Sequence, residues 1–169
     1  KIAVREVVRA RIGPAHLVPL LWAGADPGAI PFDALDPPYV VKSNHGCGHV
    51  AIVRGPEGPD RAALIAMARR WLAEDYGRAH GEPAYRHIPR RILVERLLEG
   101  ADGAPPREVK LFCNHGETRF VMVPTRDAAG RTSGRRFYDA DWRPLDWVYR
   151  DEPLLGPAEP APPELDELK

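Results

Sequence analysis

The sequence predicts an α+β fold of antiparallel hairpins with helices on one side. Two pairs of β-branched or aromatic runs flank short glycine-containing loops, at 39–53 and 108–125. A stretch after Asp60 repeats apolar residues at helical spacing. The resulting order is helix, strand pair, helix, strand, strand pair, strand, which suits antiparallel sheets.

The elements follow in chain order. "KIAVREVVRARIG" sets Ile2, Val4, Val8 and Ile12 near one helical face, and Gly13 with Pro14 supplies the stop. The next segment, "HLVPLLWAGADPGAIPFDALDPP", has too many prolines and glycines for long regular structure and reads as an ordered, packed connector. Tyr39 to Lys42 forms a short buried strand and Val50 to Val53 its hairpin partner, with an exposed loop between them. Asp60 caps a helix carrying Ala63, Leu64, Met67, Trp71 and Leu72 on its apolar face, and Gly77 stops it. Ile92 to Leu98 is a strand. Glu108 to Asn114 and Thr118 to Thr125 make a second hairpin around "HG", and "RRFYDADWRPLDWVYR" adds a strand and a turn. The closing "DEPLLGPAEPAPPELDELK" is an extended surface crossing that ends in the first turn of a helix cut short, and the chain reads as a fragment.

Composition narrows the function classes. The 169 residues carry 24 basic and 24 acidic side chains, so no general positive field advertises nucleic acid. No apolar run approaches the roughly 20 residues of a membrane helix, so no membrane insertion is expected and a cytoplasmic setting is the default. Cys47 and Cys113 are the only cysteines, too few for a disulfide framework.

The chemistry concentrates in "YVVKSNHGCGHVAIV". Lys42 at the end of a buried strand, followed by glycine-spaced backbone amides, suits a phosphate. It is not a Walker loop, because a strand rather than a helix comes next. His45, Cys47 and His49 alternate and could instead share a metal, with Cys113 and His115 as further soft ligands, although zinc-type spacings are missing. Glu95 is a carboxylate in the apolar strand "RILVERLL" and needs a partner, either a neighbouring arginine (Arg90, Arg91 or Arg96) or a hydrogen-bonding ligand. Lys110 is similarly a cation among apolar neighbours that a bound anion would satisfy. Asp139 and Asp141 in "YDADW" could touch a metal or a sugar, or simply cap a turn.

Taken together, Lys1, "VVKSNHGCG", "GEPAYRHIPRRILVERLL", "VKLFCNHGE" and "FYDADW" resemble, in this order, the TupA-like (teichuronopeptide-biosynthesis) branch of the ATP-grasp enzymes. The similarity runs through nearly the whole chain. It implies two small lobes of antiparallel strands with helices around a nucleotide cleft. Residues 1–37 would be the N-terminal helix and connector, 38–94 the first lobe with its lid hairpin, 95–150 the floor strands of the second, and 151–169 a proline-rich crossing.

The resemblance further implies that Lys42 holds phosphate oxygens and that Asn44, His45, Gly46, Cys47 and Gly48 close over the terminal phosphate with their amides. Lys1 matches the lysine preceding the first lobe. Glu95, with the backbone of Arg96 and Leu97, falls where adenine and ribose are held, and Lys110 lies on the floor strand. Cys47 departs from the family's usual serine, and His49 from a small or polar residue. The implied cofactors are ATP and Mg2+, and the implied partners a carboxylate and an amine, a saccharide or amino acid among them, in cell-surface polysaccharide or polypeptide biosynthesis. The family's late metal-binding carboxylates have no counterpart before Lys169, so these residues alone are expected to bind nucleotide weakly and to catalyse nothing. Two rival readings stay open: a nucleotide-sugar glycosyltransferase using "YDADW", and a non-catalytic module built on a structural metal.

Overall fold

The computed structural model describes residues 1–55, 58–100, 103, 106–127, 132–148 and 155–168. The chain divides into two compact units, Lys1–Leu98 and Glu99–Lys169. The boundary lies later than the expected division at 94/95, which would cut through a continuous strand.

The first unit holds helix α1 (Ile2–Ile12), strands β1 (Leu20–Gly24), β2 (Tyr39–Ser43) and β3 (Val50–Val53), helices α2 (Arg61–Ala73) and α3 (Tyr76–Ala79), and strand β4 (Ile92–Arg96). Its antiparallel sheet runs β1-β4-β2-β3. Strand β1 corrects the expected connector: four of its five residues pair with β4, Trp22 facing Val94 and Gly24 facing Ile92, with an irregularity at Leu21. The Asp60 carboxylate caps α2 as its sequence implies, accepting from the Ala63 amide at 2.6 Å. That helix ends at Ala73, before the expected stop at Gly77, because Glu74 turns extended and Asp75 caps α3, in which Gly77 lies.

Strand alternation divides the residues of this sheet between two faces. Tyr39, Val41, Ile92 and Val94 form a core with Leu64 and Ala68 of α2. Val40, Lys42, Leu93 and Glu95 occupy the other face, and α1 meets the sheet there through Arg5. Helices therefore contact both faces rather than one. The apolar stripe expected of α1 is not what it buries: Val4 and Ile12 are exposed, and Arg5 is the buried residue. Glu95, a carboxylate in the sheet interior, makes that inversion favourable by supplying a partner.

The second unit is an antiparallel sheet β5-β6-β7-β8, with β5 (Lys110–Asn114), β6 (Glu117–Arg126), β7 (Thr132–Asp139) and β8 (Pro144–Leu145), followed by the short helix α4 (Leu165–Leu168). The predicted "HG" turn joins β5 to β6 with φ of 53° at His115 and 83° at Gly116. Positive φ at both central residues matches the twist of a two-residue hairpin. Val121, Val123, Tyr138 and Trp142 form the core, with Tyr138 stacked on Trp142. The proline-rich crossing docks here. The Glu159 carbonyl accepts from Trp142 Nε1 at 2.9 Å and the Glu159 amide donates to the Tyr138 hydroxyl at 2.7 Å. The part of that crossing at 151–154 lies outside the described residues.

Candidate functional site

The site grows from the charged face of the first sheet. In β4 Glu95 is buried, and its two carboxylate oxygens are divided between two cations from different elements. Oε1 accepts from Arg5 Nη1 of α1 at 2.9 Å and Oε2 from Lys42 Nζ of β2 at 2.9 Å. Arg5 is further fixed by donating from Nη2 to the Val18 carbonyl at 2.5 Å. Its side chain is 11% exposed, that of Lys42 30%. Of the two cations bound to Glu95, Lys42 is thus the one open to a ligand. The partners of Glu95 are neither Arg90, Arg91 nor Arg96.

Lys1 joins the same cluster. Its ammonium donates to the carbonyls of Ser43 (2.5 Å), Asn44 (3.3 Å) and Gly46 (2.5 Å), gathering the start of the β2–β3 loop around one cation. An ammonium has three donors, so these bonds occupy Lys1 with shaping the loop rather than with a ligand. Burial holds its pKa below the ordinary value, the positive charge of Lys42 lowers it further, and Cys47 and Glu95 act in the opposite sense.

The loop is not the exposed flap expected from its polarity. Asn44, His45 and Gly46 are buried, and the tip at Cys47 and Gly48 is exposed. Asn44 spends both ends of its amide on the protein, with Oδ1 accepting from the Ile2 amide at 3.1 Å and Nδ2 donating to the Pro89 carbonyl at 2.9 Å. Its own backbone amide donates to the Arg91 carbonyl at 2.8 Å. A polar loop can be buried on these terms because its groups find partners. A Cβ at Gly46 would lie 2.8 Å from His49 Nδ1, so no side chain fits there, and Gly48 turns the tip at φ 75°.

A relay of polar groups supports the loop from behind. His49 Nε2 lies 2.9 Å from Glu74 Oε2, and its Nδ1 lies 2.9 Å from the Ser43 hydroxyl. The carboxylate can only accept, so Nε2 donates to it, while Nδ1 and the Ser43 hydroxyl share the second hydrogen bond. The imidazole of His49 also stacks on Trp71, centroids 5.3 Å apart and planes 9° from parallel. His45 donates from Nε2 to the Trp71 carbonyl at 2.8 Å, which leaves Nδ1 buried without a partner among the described residues. Burial pushes its pKa down. The Trp71 hydrogen bond opposes this, and the charges of Arg90, His49 and Lys1 reinforce it. A cavity of about 220 Å³ opens beside His45, Glu74, Tyr76, Tyr85 and Arg90.

Other expectations resolve differently. The backbone amides of Arg96 and Leu97 donate to the carbonyls of Pro19 (3.0 Å) and Pro38 (3.2 Å). In the second unit Lys110 is exposed and paired with Glu108 at 3.2 Å, so its charge needs no bound anion. On the same sheet Phe112, Phe120, Met122, Phe137 and Trp147 line an apolar cavity of about 260 Å³. Asp139 caps its turn, with Oδ1 accepting from the amides of Asp141 (2.9 Å) and Arg143 (2.8 Å). Among the described residues no three His, Cys, Asp or Glu side chains are placed to hold a metal, so His45, Cys47 and His49 do not form the knot the metal reading required.

Comparison with known families matches residues 1–160 to TupA-like ATPgrasp. The chain belongs to that family. No curated protein and no solved structure matches it. TupA-like ATP-grasp membership gives the chain an ATP-grasp, ligase-type fold, and enzymes of this superfamily generally carry out ATP-dependent ligation, typically with Mg2+. The charged face fits a polyphosphate: Lys1, Arg5 and Lys42 oppose the single carboxylate of Glu95, and the Lys42 ammonium is partly open. The described residues do not supply a carboxylate cluster for Mg2+. Sequence reasoning missed Arg5 and Glu74. A charged residue at position 5 of an amphipathic helix looks solvent-facing, and Glu74 follows a helix end like any surface residue.

Proposed function

We propose that this chain is the ATP-binding part of an ATP-grasp carboxylate–amine ligase acting in cytoplasmic steps of cell-surface polysaccharide or polypeptide biosynthesis. ATP would supply the phosphoryl group that activates a carboxylate as an acyl phosphate, which an amine then displaces to form an amide. The substrates would be a carboxylate and an amine of the saccharide or amino-acid class.

The observation that carries this reading is the Lys42 ammonium, partly open on a strand end and held in place by Glu95, in a chain of this family. Lys42 would donate to phosphate oxygens with the hydrogens that Glu95 leaves over, since an ammonium has three. Lys1 would hold the loop carbonyls away from the phosphates, and the exposed tip at Cys47 and Gly48 would approach the terminal phosphate. Glu95 would meet the nucleoside with lone pairs not used by its two cations, and Lys110 would stand on the second unit's floor strand. Positioning and charge neutralisation, rather than covalent chemistry by the protein, would supply the rate enhancement.

The test is calorimetric titration of a non-hydrolysable ATP analogue into the full-length protein and its Lys42→Ala variant. A loss of affinity of about tenfold to a hundredfold is expected for one charge-assisted phosphate contact. Equal affinity in the two proteins would overturn the reading.

A further inference from the structure

Glu95 binds two cations with one carboxylate, and the two are not equivalent. Arg5 is the more buried and is anchored a second time on the Val18 carbonyl, whereas Lys42 is partly open. A carboxylate next to a phosphate site is a liability, because it repels the anion and neutralises the lysine meant to attract it. Arg5 removes that liability. With Arg5 present these three charges sum to one positive charge, and without it Glu95 and Lys42 cancel, leaving only Lys1, whose hydrogens are spent on the loop carbonyls. Arginine suits the task because its guanidinium stays charged and can bind the carboxylate and a backbone carbonyl at once.

We propose that Arg5 is a positioning residue for polyphosphate binding, acting through Glu95 to keep the charge of Lys42 available to the ligand. This rests on the reading of Lys42 as the phosphate ligand. The occupant is a polyphosphate chain, whether free or as part of a nucleoside triphosphate. Arg5 itself touches no ligand. Helix α1 is in this way part of the site's electrostatics, not only of its packing.

The experiment measures inorganic tripolyphosphate binding by calorimetry, with ATP in parallel, for the full-length protein and its Lys42→Ala, Arg5→Met, Arg5→Lys and Arg5→Met/Glu95→Gln variants, each checked by circular dichroism. Tripolyphosphate isolates the charge effect from any contact of Glu95 with the nucleoside. Arg5→Met is expected to weaken binding about tenfold, and Arg5→Lys to fall between Arg5→Met and the parent, since it keeps the charge but not the two-pronged hydrogen bonding. The double variant is the decisive one: removing the Glu95 charge should restore tripolyphosphate binding relative to an Arg5→Met protein whose circular dichroism matches the parent, whereas a merely structural role would show as a changed Arg5→Met spectrum. It also keeps the test open should Arg5→Met alone fail to fold, because a neutral buried pair is tolerated better than a broken ion pair.

Failure of the double variant to bind better than Arg5→Met, or than Lys42→Ala should Arg5→Met not fold, would overturn the proposal while leaving Lys42 as the phosphate ligand. Unchanged binding in Lys42→Ala would overturn both. Recovery of tripolyphosphate but not of ATP supports the proposal and adds a nucleoside contact for Glu95. Recovery of both supports it without one.

Discussion

Lys42 and Glu95 meet diagonally across two antiparallel strands, Nζ to Oε2 at 2.9 Å, while their direct partners in the register are Leu93 and Val40. The diagonal lets two long side chains join over a buried apolar pair. Arg5 completes the arrangement from α1, so loss of the carboxylate leaves a buried guanidinium without its partner. Glu95→Gln is expected to cost about 2–4 kcal/mol, somewhat less than the full removal of a buried ion-pair partner because glutamine still accepts one hydrogen bond. Urea unfolding measures it, and a loss below about 1 kcal/mol would show the pair to be screened by solvent.

Asn44 ties the loop to the first turn of α1 and to the segment before β4. Asn44→Ala leaves the Pro89 carbonyl and the Ile2 amide to find other partners, for an expected loss of about 2–3 kcal/mol. Hydrogen exchange should show the extra opening concentrated in residues 1–12 and 43–49. Uniform loss of protection over the whole first unit would contradict this assignment.

The two loop glycines make different demands. Gly48→Ala meets open space and pays chiefly for its positive φ, about 1 kcal/mol. Gly46→Ala drives a methyl against His49 and Tyr76 and should be costlier, about 2 kcal/mol or more. The order of the two thermal midpoints is the measurement, and the reverse order would disprove the packing described at Gly46.

Cys47 is exposed at the loop tip. In a Cys113→Ser background, its thiol should react readily with an alkylating reagent, and saturating ATP analogue should slow that reaction at least about threefold if phosphates approach the tip. Identical rates with and without nucleotide would remove Cys47 from the phosphate's surroundings.

His45 titrates below its ordinary value of 6.5, mainly through burial. The sign follows from proton counting: between the lowered folded value and 6.5 the unfolded chain binds more protons, so stability falls as the pH drops through that window. Below the folded value the contribution of His45 no longer changes. Arg90, His49 and Lys1 bear on the same ring, with the Trp71 carbonyl opposing them. A His45→Gln variant should lose less stability than the parent between pH 7 and pH 5.5, as read by urea midpoints. Parallel losses in the two proteins would remove His45 as the cause.

The parts of the fold that follow from short-range pattern were readable in the sequence: both hairpins, the Asp60 cap of α2 and the His115–Gly116 turn. Strand β1 was not, because its five residues sit among prolines and become a strand only through pairing with β4, far along the chain. The site shows the same limit. Lys42 and Glu95 stood out because each is a charge in an apolar strand, but the arginine that pairs with Glu95 is Arg5, 90 residues away, and sequence neighbourhood pointed to the wrong arginines. The burial of the loop was equally invisible, since it depends on bonds from Lys1, Pro89 and Arg91 that only the folded chain brings together.

The parallel overlap of Trp71 with His49 has an optical use. A protonated imidazole quenches indole emission, so the brightness of Trp71 depends on whether the ring lies over it and on its charge. With the other three tryptophans replaced by phenylalanine, Trp71 becomes a built-in gauge of movement at the loop, readable in a stopped-flow instrument without any attached dye.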